Sequence, residues 1–387
     1  MHPHFKIARP LFTTRREFVL GSLLGGVALA AGLGCAGASK SSGTADASSA
    51  ASGTSEGRKL GVALLGLGSY SEGQLAPALR RTRHCALRGI VTGTPAKVGR
   101  WQREHGIADR NVYDYAGLAR IADNRDIDVV YVVTPTALHA KYAIMAAEAG
   151  KHVWCEKPMA MTVTQCQSIL DACRANKVSL SVGYRMQHEP NTQTVMRFAK
   201  ERPYGPIRSI RAVAGDKNPG EPSWRMVRSM GGGALYDMGV YAINAIRYAS
   251  GEEPVRVVRA KQWAERPELF HDVDENTEFE LELPSGVIAY GKASRSNNEN
   301  VLRVTAERGG YHLEPMQSYT GVEGETTDGK KLDLPIDNQQ AKQMDDEALA
   351  ILEGRPPVVS GEEGQRDIRI IEAILDAART GSPVSVG

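Results

Sequence analysis

The strongest constraint on this chain is a turn. Residues 60–65 (Leu-Gly-Val-Ala-Leu-Leu) form a strand-like run, and Gly66-Leu67-Gly68-Ser69-Tyr70-Ser71 follows with no spacer. In a strand that runs straight into Gly-x-Gly, the first glycine allows the sharp bend. The second lets a pyrophosphate approach the backbone, and the next helix presents free N–H groups to that anion. Downstream the pattern alternates. Residues 86–91, 128–133, 152–155 and 179–183 read as strands, and 74–83, 96–105, 137–149 and 163–175 as helices. This alternation predicts a doubly wound parallel sheet. From residue 207 the strand candidates (207–214, 255–263, 277–283, 287–293) lack intervening helices, apart from an apolar helix over 233–249. The expected fold class is therefore α/β. An N-terminal Rossmann domain is expected over 58–183, and a C-terminal α+β domain on an open, mostly antiparallel mixed sheet over 184–387. An amphipathic helix over 364–380 would pack back on the Rossmann domain.

Two details of the turn sharpen the reading. Its third position is Ser71 rather than glycine or alanine, which is expected to loosen helix–strand packing. The second strand ends in Val91-Thr92-Gly93-Thr94-Pro95-Ala96-Lys97, with Arg100 one turn later. An NAD site places a carboxylate there for the ribose 2′-hydroxyl. Here the stretch carries a hydroxyl and two cations, which suit a 2′-phosphate and hence NADP. Gly66, Gly68, Ser69, Tyr70, Thr92 and Lys97 are the candidate cofactor residues of this half.

The first 57 residues differ in texture. Arg15-Arg16 precedes 22 consecutive uncharged residues, six of them glycine, and 39–57 is a Ser/Ala/Gly-rich spacer. The pattern resembles a twin-arginine signal over 1–38, which implies export of the folded protein by the Tat machinery to the periplasm. Ala36-Gly37-Ala38 offers a cleavage site, and Cys35 is an alternative site for a lipid anchor. With 47 Lys+Arg against 45 Asp+Glu and no basic block, nothing suggests a nucleic-acid partner. Five cysteines without a Cys-x-x-Cys pair argue against a disulfide framework or a structural metal.

Four further stretches carry a resemblance: Thr134-Pro135-Thr136-Ala137-Leu138-His139, Glu156-Lys157-Pro158, Gly183-Tyr184-Arg185, and the run from Gly231-Gly232-Gly233 through Asp237 to Tyr241. Together with the glycine turn, the chain from about residue 60 onward resembles the Gfo/Idh/MocA oxidoreductases. It is most similar to the glucose–fructose and aldose–aldose oxidoreductase branch, through 150–159, Trp224-Arg225 and 361–367. The resemblance implies sugar substrates, Tyr241 as acid/base, Lys157 tuning its proton and orienting the substrate hydroxyl, and Asp237 holding the substrate or the lysine. The Asp237/Tyr241 spacing of i, i+4 puts both on one helix face. Pro135 and His139 would line the nicotinamide pocket and Glu156 would contact its ribose, with Arg185, Trp224, Arg225 and Tyr319 near the cofactor. The family's sheet often packs against a second subunit, so a homo-oligomer is expected.

Export combined with NADP has a consequence. A compartment that supplies no free NADP requires the cofactor to be loaded before export and kept. The expected reaction is then a ping-pong cycle, in which one aldose is oxidised to its lactone and a second sugar or carbonyl is reduced. The alternatives are a dissociable NAD(P)-dependent sugar or inositol dehydrogenase, an NAD-using glycoside hydrolase, and a non-catalytic nucleotide- or sugar-binding protein.

Overall fold

The computed structural model describes residues 57–218, 220 and 223–387. Arg15-Arg16, Cys35, Ala38 and the spacer up to residue 56 lie outside the described residues.

The first sheet has six parallel strands: β1 (Leu60–Leu65), β2 (Cys85–Val91), β3 (Val112–Tyr113), β4 (Val129–Val132), β5 (His152–Cys155) and β6 (Leu180–Val182), in the order β3-β2-β1-β4-β5-β6. Every residue of β1 and β4 is buried, so these strands are covered on both faces and read as continuous rather than alternating runs. The helices are α1 (Ala76–Leu79), α2 (Pro95–His105), α3 (His139–Glu148) and α4 (Val163–Ala175). Thr162 starts α4 by accepting the Gln165 N–H on its hydroxyl at 3.1 Å. The strand order reverses between β1 and β4, which opens a crevice at their carboxyl ends.

The expected helix over 74–83 starts sooner and stops earlier. A wide π-helical turn, Ser71–Leu75, precedes α1, which ends at Leu79. Ser71 does not loosen this junction. Its side chain is fully buried, and its hydroxyl donates to the Gly66 carbonyl at 2.5 Å, tying the helix start to the strand end.

After α5 (Pro190–Glu201), a nine-stranded mixed sheet forms from β7 (Ile207–Gly215), β8 (Arg256–Trp263), β9 (Asn276–Glu282), β10 (Ile288–Ser294), β11 (Asn300–Ala306), β12 (Gly309–Leu313), β13 (Gly324–Thr326), β14 (Lys331–Leu332) and β15 (Val384–Ser385). Only the β7–β10 pair is parallel. One face is covered by α6 (Val240–Ser250), and β9 alternates buried and half-buried residues as a one-sided strand should.

The chain then returns to the first sheet. In α7 (Gln339–Leu352), Ala341, Met344 and Ala348 join Leu75, Ala76 and Trp101 in one core, and Asp345 accepts the Arg83 and His84 N–H groups at 2.8–2.9 Å. Residues 339–352, which the sequence groups with the second domain, therefore pack with the Rossmann layer. The last helix, α8 (Gly361–Thr380), lies between the two sheets. Gly361 sits against Leu170 and Leu180, while Glu363 and Asp367 receive the buried Arg247 of α6 at 2.8 and 2.7 Å.

Candidate functional site

A cleft of about 840 Å³ opens at the carboxyl ends of β1 and β4 and is closed on its far side by the second sheet. Its Rossmann wall begins with the glycine turn. Gly66 has φ +99°, and a Cβ there would lie 2.5 Å from the Val133 carbonyl oxygen, so both conformation and space demand glycine. Gly68 differs. A Cβ built on it meets no protein atom within 4 Å, so the fold itself places no demand on this position. Its backbone is open to the approach of a ligand. Thr134, across the turn, carries a buried hydroxyl without a protein partner. Both observations fit a bound dinucleotide.

At the end of β2, Thr92 and Lys97 line the cleft, and its lining contains no carboxylate from this stretch. Lys97 Nζ bends over the glycine turn and donates to the Leu67 carbonyl at 2.5 Å, and among the described residues no carboxylate lies within ion-pair distance of it. Arg100 does not join it. Its guanidinium pairs with Glu72 at 2.5 Å on the exposed surface and is absent from the cleft wall, so only one of the two expected cations reaches the site.

Toward the middle of the cleft, Pro135 and Glu156 form the floor. Burial pushes the Glu156 carboxyl upward, against the hydrogen bond from the Tyr131 hydroxyl to its Oε1 at 2.6 Å and the charge of Lys157. Arg185 is buried and stacks on the Tyr319 ring at 4.7 Å, while Nη1 donates to the Ser318 carbonyl at 2.9 Å. Tyr319 in turn faces Tyr70 of the glycine turn, with ring centroids 6.1 Å apart, so an aromatic pair spans the cleft. His139 stands behind the wall rather than in it. It is buried, outside the cleft lining, and its ring nitrogens lie 2.9 and 2.8 Å from the Pro158 and Thr134 carbonyls. Its place is to brace the loops that carry Pro135 and Lys157.

The chemistry-bearing side chains meet at the far end. Lys157, just past β5, donates from Nζ to the main-chain carbonyl of Asp237 at 2.8 Å and lies 4.5 Å above the Tyr241 ring centroid. Asp237 sits on a π-helical turn, Leu235–Gly239, that opens into α6. The expected regular helix is thus wound wider here, as is frequent at functional sites. Asp237 and Tyr241 nevertheless both face the cleft. Three cations surround the Asp237 carboxylate: Arg225 Nε at 3.1 Å, Arg295 Nη1 at 3.2 Å and Lys157 Nζ at 3.8 Å. Burial pushes this carboxyl upward, but Arg225, Lys157 and Arg295 together outweigh it and hold it below the ordinary carboxylate range. Arg225 also stacks at 4.7 Å on Trp224, which lines the cleft. Arg295 and its second partner Asp216 escaped the sequence reading. The register Ser294↔Gly215 delivers both to one edge, and that register joins strands far apart in the chain. Among the described residues no cluster of three or more His, Cys, Asp or Glu is arranged to hold a metal ion.

Fold and cleft define a dinucleotide-dependent oxidoreductase. Residues 60–184 match the oxidoreductase family with an NAD-binding Rossmann fold, and residues 192–312 match the GFO/IDH/MocA C-terminal domain. The chain belongs to the Gfo/Idh/MocA family of NAD(P)-dependent sugar oxidoreductases. Among curated relatives, the NADP(+) D-xylose 1-dehydrogenase of Haloarcula marismortui is 29% identical over 341 residues, 83% of this chain and 92% of its own. Levoglucosan dehydrogenase of Pseudarthrobacter phenanthrenivorans is 37% identical, but over only 38% of this chain and 39% of its own. Among solved structures, the aldose-aldose oxidoreductase of Caulobacter crescentus complexed with glycerol superposes with a TM-score of 0.81. It is 37% identical, and the match covers 85% of this chain and all of that one.

Proposed function

We propose that this protein is an exported sugar oxidoreductase that holds NADP through its working cycle, oxidising an aldose to its lactone and then reducing a second sugar or carbonyl. The observation that carries the reading is the placement of Lys157 on the Tyr241 ring, in the same cleft as the glycine turn. When bound, the nicotinamide supplies the two-electron acceptor and donor. The protein's part is to handle the proton. Tyr241 takes it from the reacting hydroxyl, beside the Lys157 ammonium that covers its ring, and Asp237 holds the substrate through a second hydroxyl. Glu156 and Arg185, with Tyr70 and Tyr319 above, would hold the nicotinamide half. Ser69 and Gly68 would hold the pyrophosphate, and Thr92 and Lys97 the 2′-phosphate.

Retention of the cofactor and periplasmic location rest on the leader: a twin arginine, an apolar Gly-rich run ending near Ala38 or Cys35, and a spacer to residue 57. A homo-oligomer built on the open sheet belongs to the same proposal. The rival is a dehydrogenase that exchanges NAD(P) with solution. Mass spectrometry of nucleotide released from the denatured pure protein separates them, since retention yields stoichiometric NADP(H) and exchange yields little. Lys97→Ala tests the cofactor choice. After unfolding and reloading from an equimolar NAD/NADP mixture, the variant's preference for NADP should fall by about 10–100-fold, the worth of one charge-assisted bond. An unchanged ratio would assign the 2′-phosphate elsewhere.

A further inference from the structure

We propose that Arg295 is a positioning residue for this reaction: it pairs with one oxygen of Asp237, leaves the other for a second, non-reacting substrate hydroxyl, and ties that carboxylate to Asp216 at the cleft mouth. The proposal rests on the reading of the cleft as a sugar-oxidising site.

The geometry is specific to atoms. Oδ2 of Asp237 lies 3.1 Å from Arg225 Nε and 3.2 Å from Arg295 Nη1. Both ion pairs fall on this oxygen, which leaves Oδ1 as the freer one. Oδ1 faces Lys157 Nζ at 3.8 Å, too far for a direct hydrogen bond yet spaced for one bridging oxygen. A second, non-reacting substrate hydroxyl placed there would accept from Lys157 and donate to Oδ1, leaving the proton of the reacting hydroxyl to Tyr241, whose ring Lys157 covers.

Arg295 is suited to fix this arrangement. It is 7% exposed, and among the described residues its Nε has no partner and its ionic contacts are Asp237 and Asp216, the latter at 2.6 Å. β7 and β10 run parallel with Ser294 opposite Gly215, so Asp216 and Arg295 leave the sheet side by side. Main-chain bonds from Asp216 N–H to the Ser294 carbonyl and from Asn218 N–H to the Arg295 carbonyl staple the two loops together. Asp216 itself is largely exposed at the cleft mouth. Arg295 thus carries the position of a mouth residue to the carboxylate at the reacting end. The charged and titratable groups facing Asp237 are Lys157 past β5, Arg225 before the π-helical turn, Arg295 past β10 with Asp216 behind it, and Tyr319 across the cleft.

The test is the acid-side pH dependence of aldose KM for the full, cofactor-loaded protein, since protonating Tyr241 acts on kcat whereas protonating Asp237 acts on substrate binding. Arg295→Gln removes one cation from Asp237, so the acid limb should move upward by about one to three pH units, with KM raised several-fold and nucleotide content unchanged. Arg295→Lys keeps the charge but cannot bridge two carboxylates in the same way. Its acid limb should stay near wild type while KM still rises. Should Arg295→Gln fail to fold, Asp216→Asn leaves Arg295 with Asp237 alone and should lower the acid limb or leave it, while raising KM. An active wild type whose acid limb is unmoved in Arg295→Gln, or displaced equally in Arg295→Lys, overturns this role. An upward shift of the limb in Asp216→Asn does the same. A wild type that turns over no aldose overturns the underlying reading, and the inference falls with it.

Discussion

Tyr241→Phe should lower sugar-dependent turnover by about 10²–10⁴-fold, the usual worth of a positioned acid/base, and leave the nucleotide bound. The substitution removes one oxygen from a half-buried side chain, whose hydroxyl makes no hydrogen bond among the described residues. The ring remains, so Lys157 at 4.5 Å and Arg185 at 5.5 Å keep the face they pack on, and Lys157 keeps its bond to the Asp237 carbonyl. The thermal midpoint should barely move. Steady-state rates, nucleotide content and a melting curve on one preparation check all three expectations. Turnover within a few-fold of wild type would remove Tyr241 from the acid/base role.

The second large effect lies at the other end of the cleft. Gly66→Ala forces an L residue to φ +99° and puts a methyl 2.5 Å from the Val133 carbonyl oxygen. The backbone conformation alone costs about 1–3 kcal/mol, and the contact adds to it, because the oxygen belongs to the main chain next to β4 and cannot swing aside. The protein should melt at a clearly lower temperature and emerge without nucleotide. Gly68→Ala is the informative partner. Its methyl meets no protein atom, so the melting temperature of nucleotide-free protein should match wild type. Its nucleotide content should nevertheless fall sharply, because the methyl occupies the space through which a pyrophosphate reaches the backbone. If Gly68→Ala retained its nucleotide fully, the turn would not be the pyrophosphate cradle.

Much of this was legible in the chain because it is local. The buried runs of β1 and β4, the glycine turn and the helix over 163–175 each announce themselves within a few residues. Lys157 was legible because the strand before it ends at Cys155, which places it at the ligand-binding edge of a parallel sheet. What escaped depends on distant pairing. The return of α7 to the Rossmann layer is written in Ala341, Met344 and Ala348, an apolar stripe that would suit either sheet. Arg295 became a site residue only through the β7–β10 register, which no local pattern encodes. Arg100 and Ser71 show the reverse error. Residue type suggested a phosphate ligand and a loose turn, whereas Glu72 claims the guanidinium and the Gly66 carbonyl claims the hydroxyl. His139 is similar: the motif suggests a nicotinamide-pocket residue, whereas both ring nitrogens lie within reach of main-chain carbonyls behind the wall.

The central claim is that the cofactor stays on the protein while sugars come and go. Its most direct test is the near-ultraviolet absorbance of protein purified without added nucleotide. Adding glucose should raise the reduced-nicotinamide band to about one equivalent per cleft, and a second carbonyl sugar should then erase it, with no nucleotide passing a desalting membrane at either stage. A preparation that carries no nucleotide, and turns over only when NAD or NADP is supplied in solution, would contradict the account.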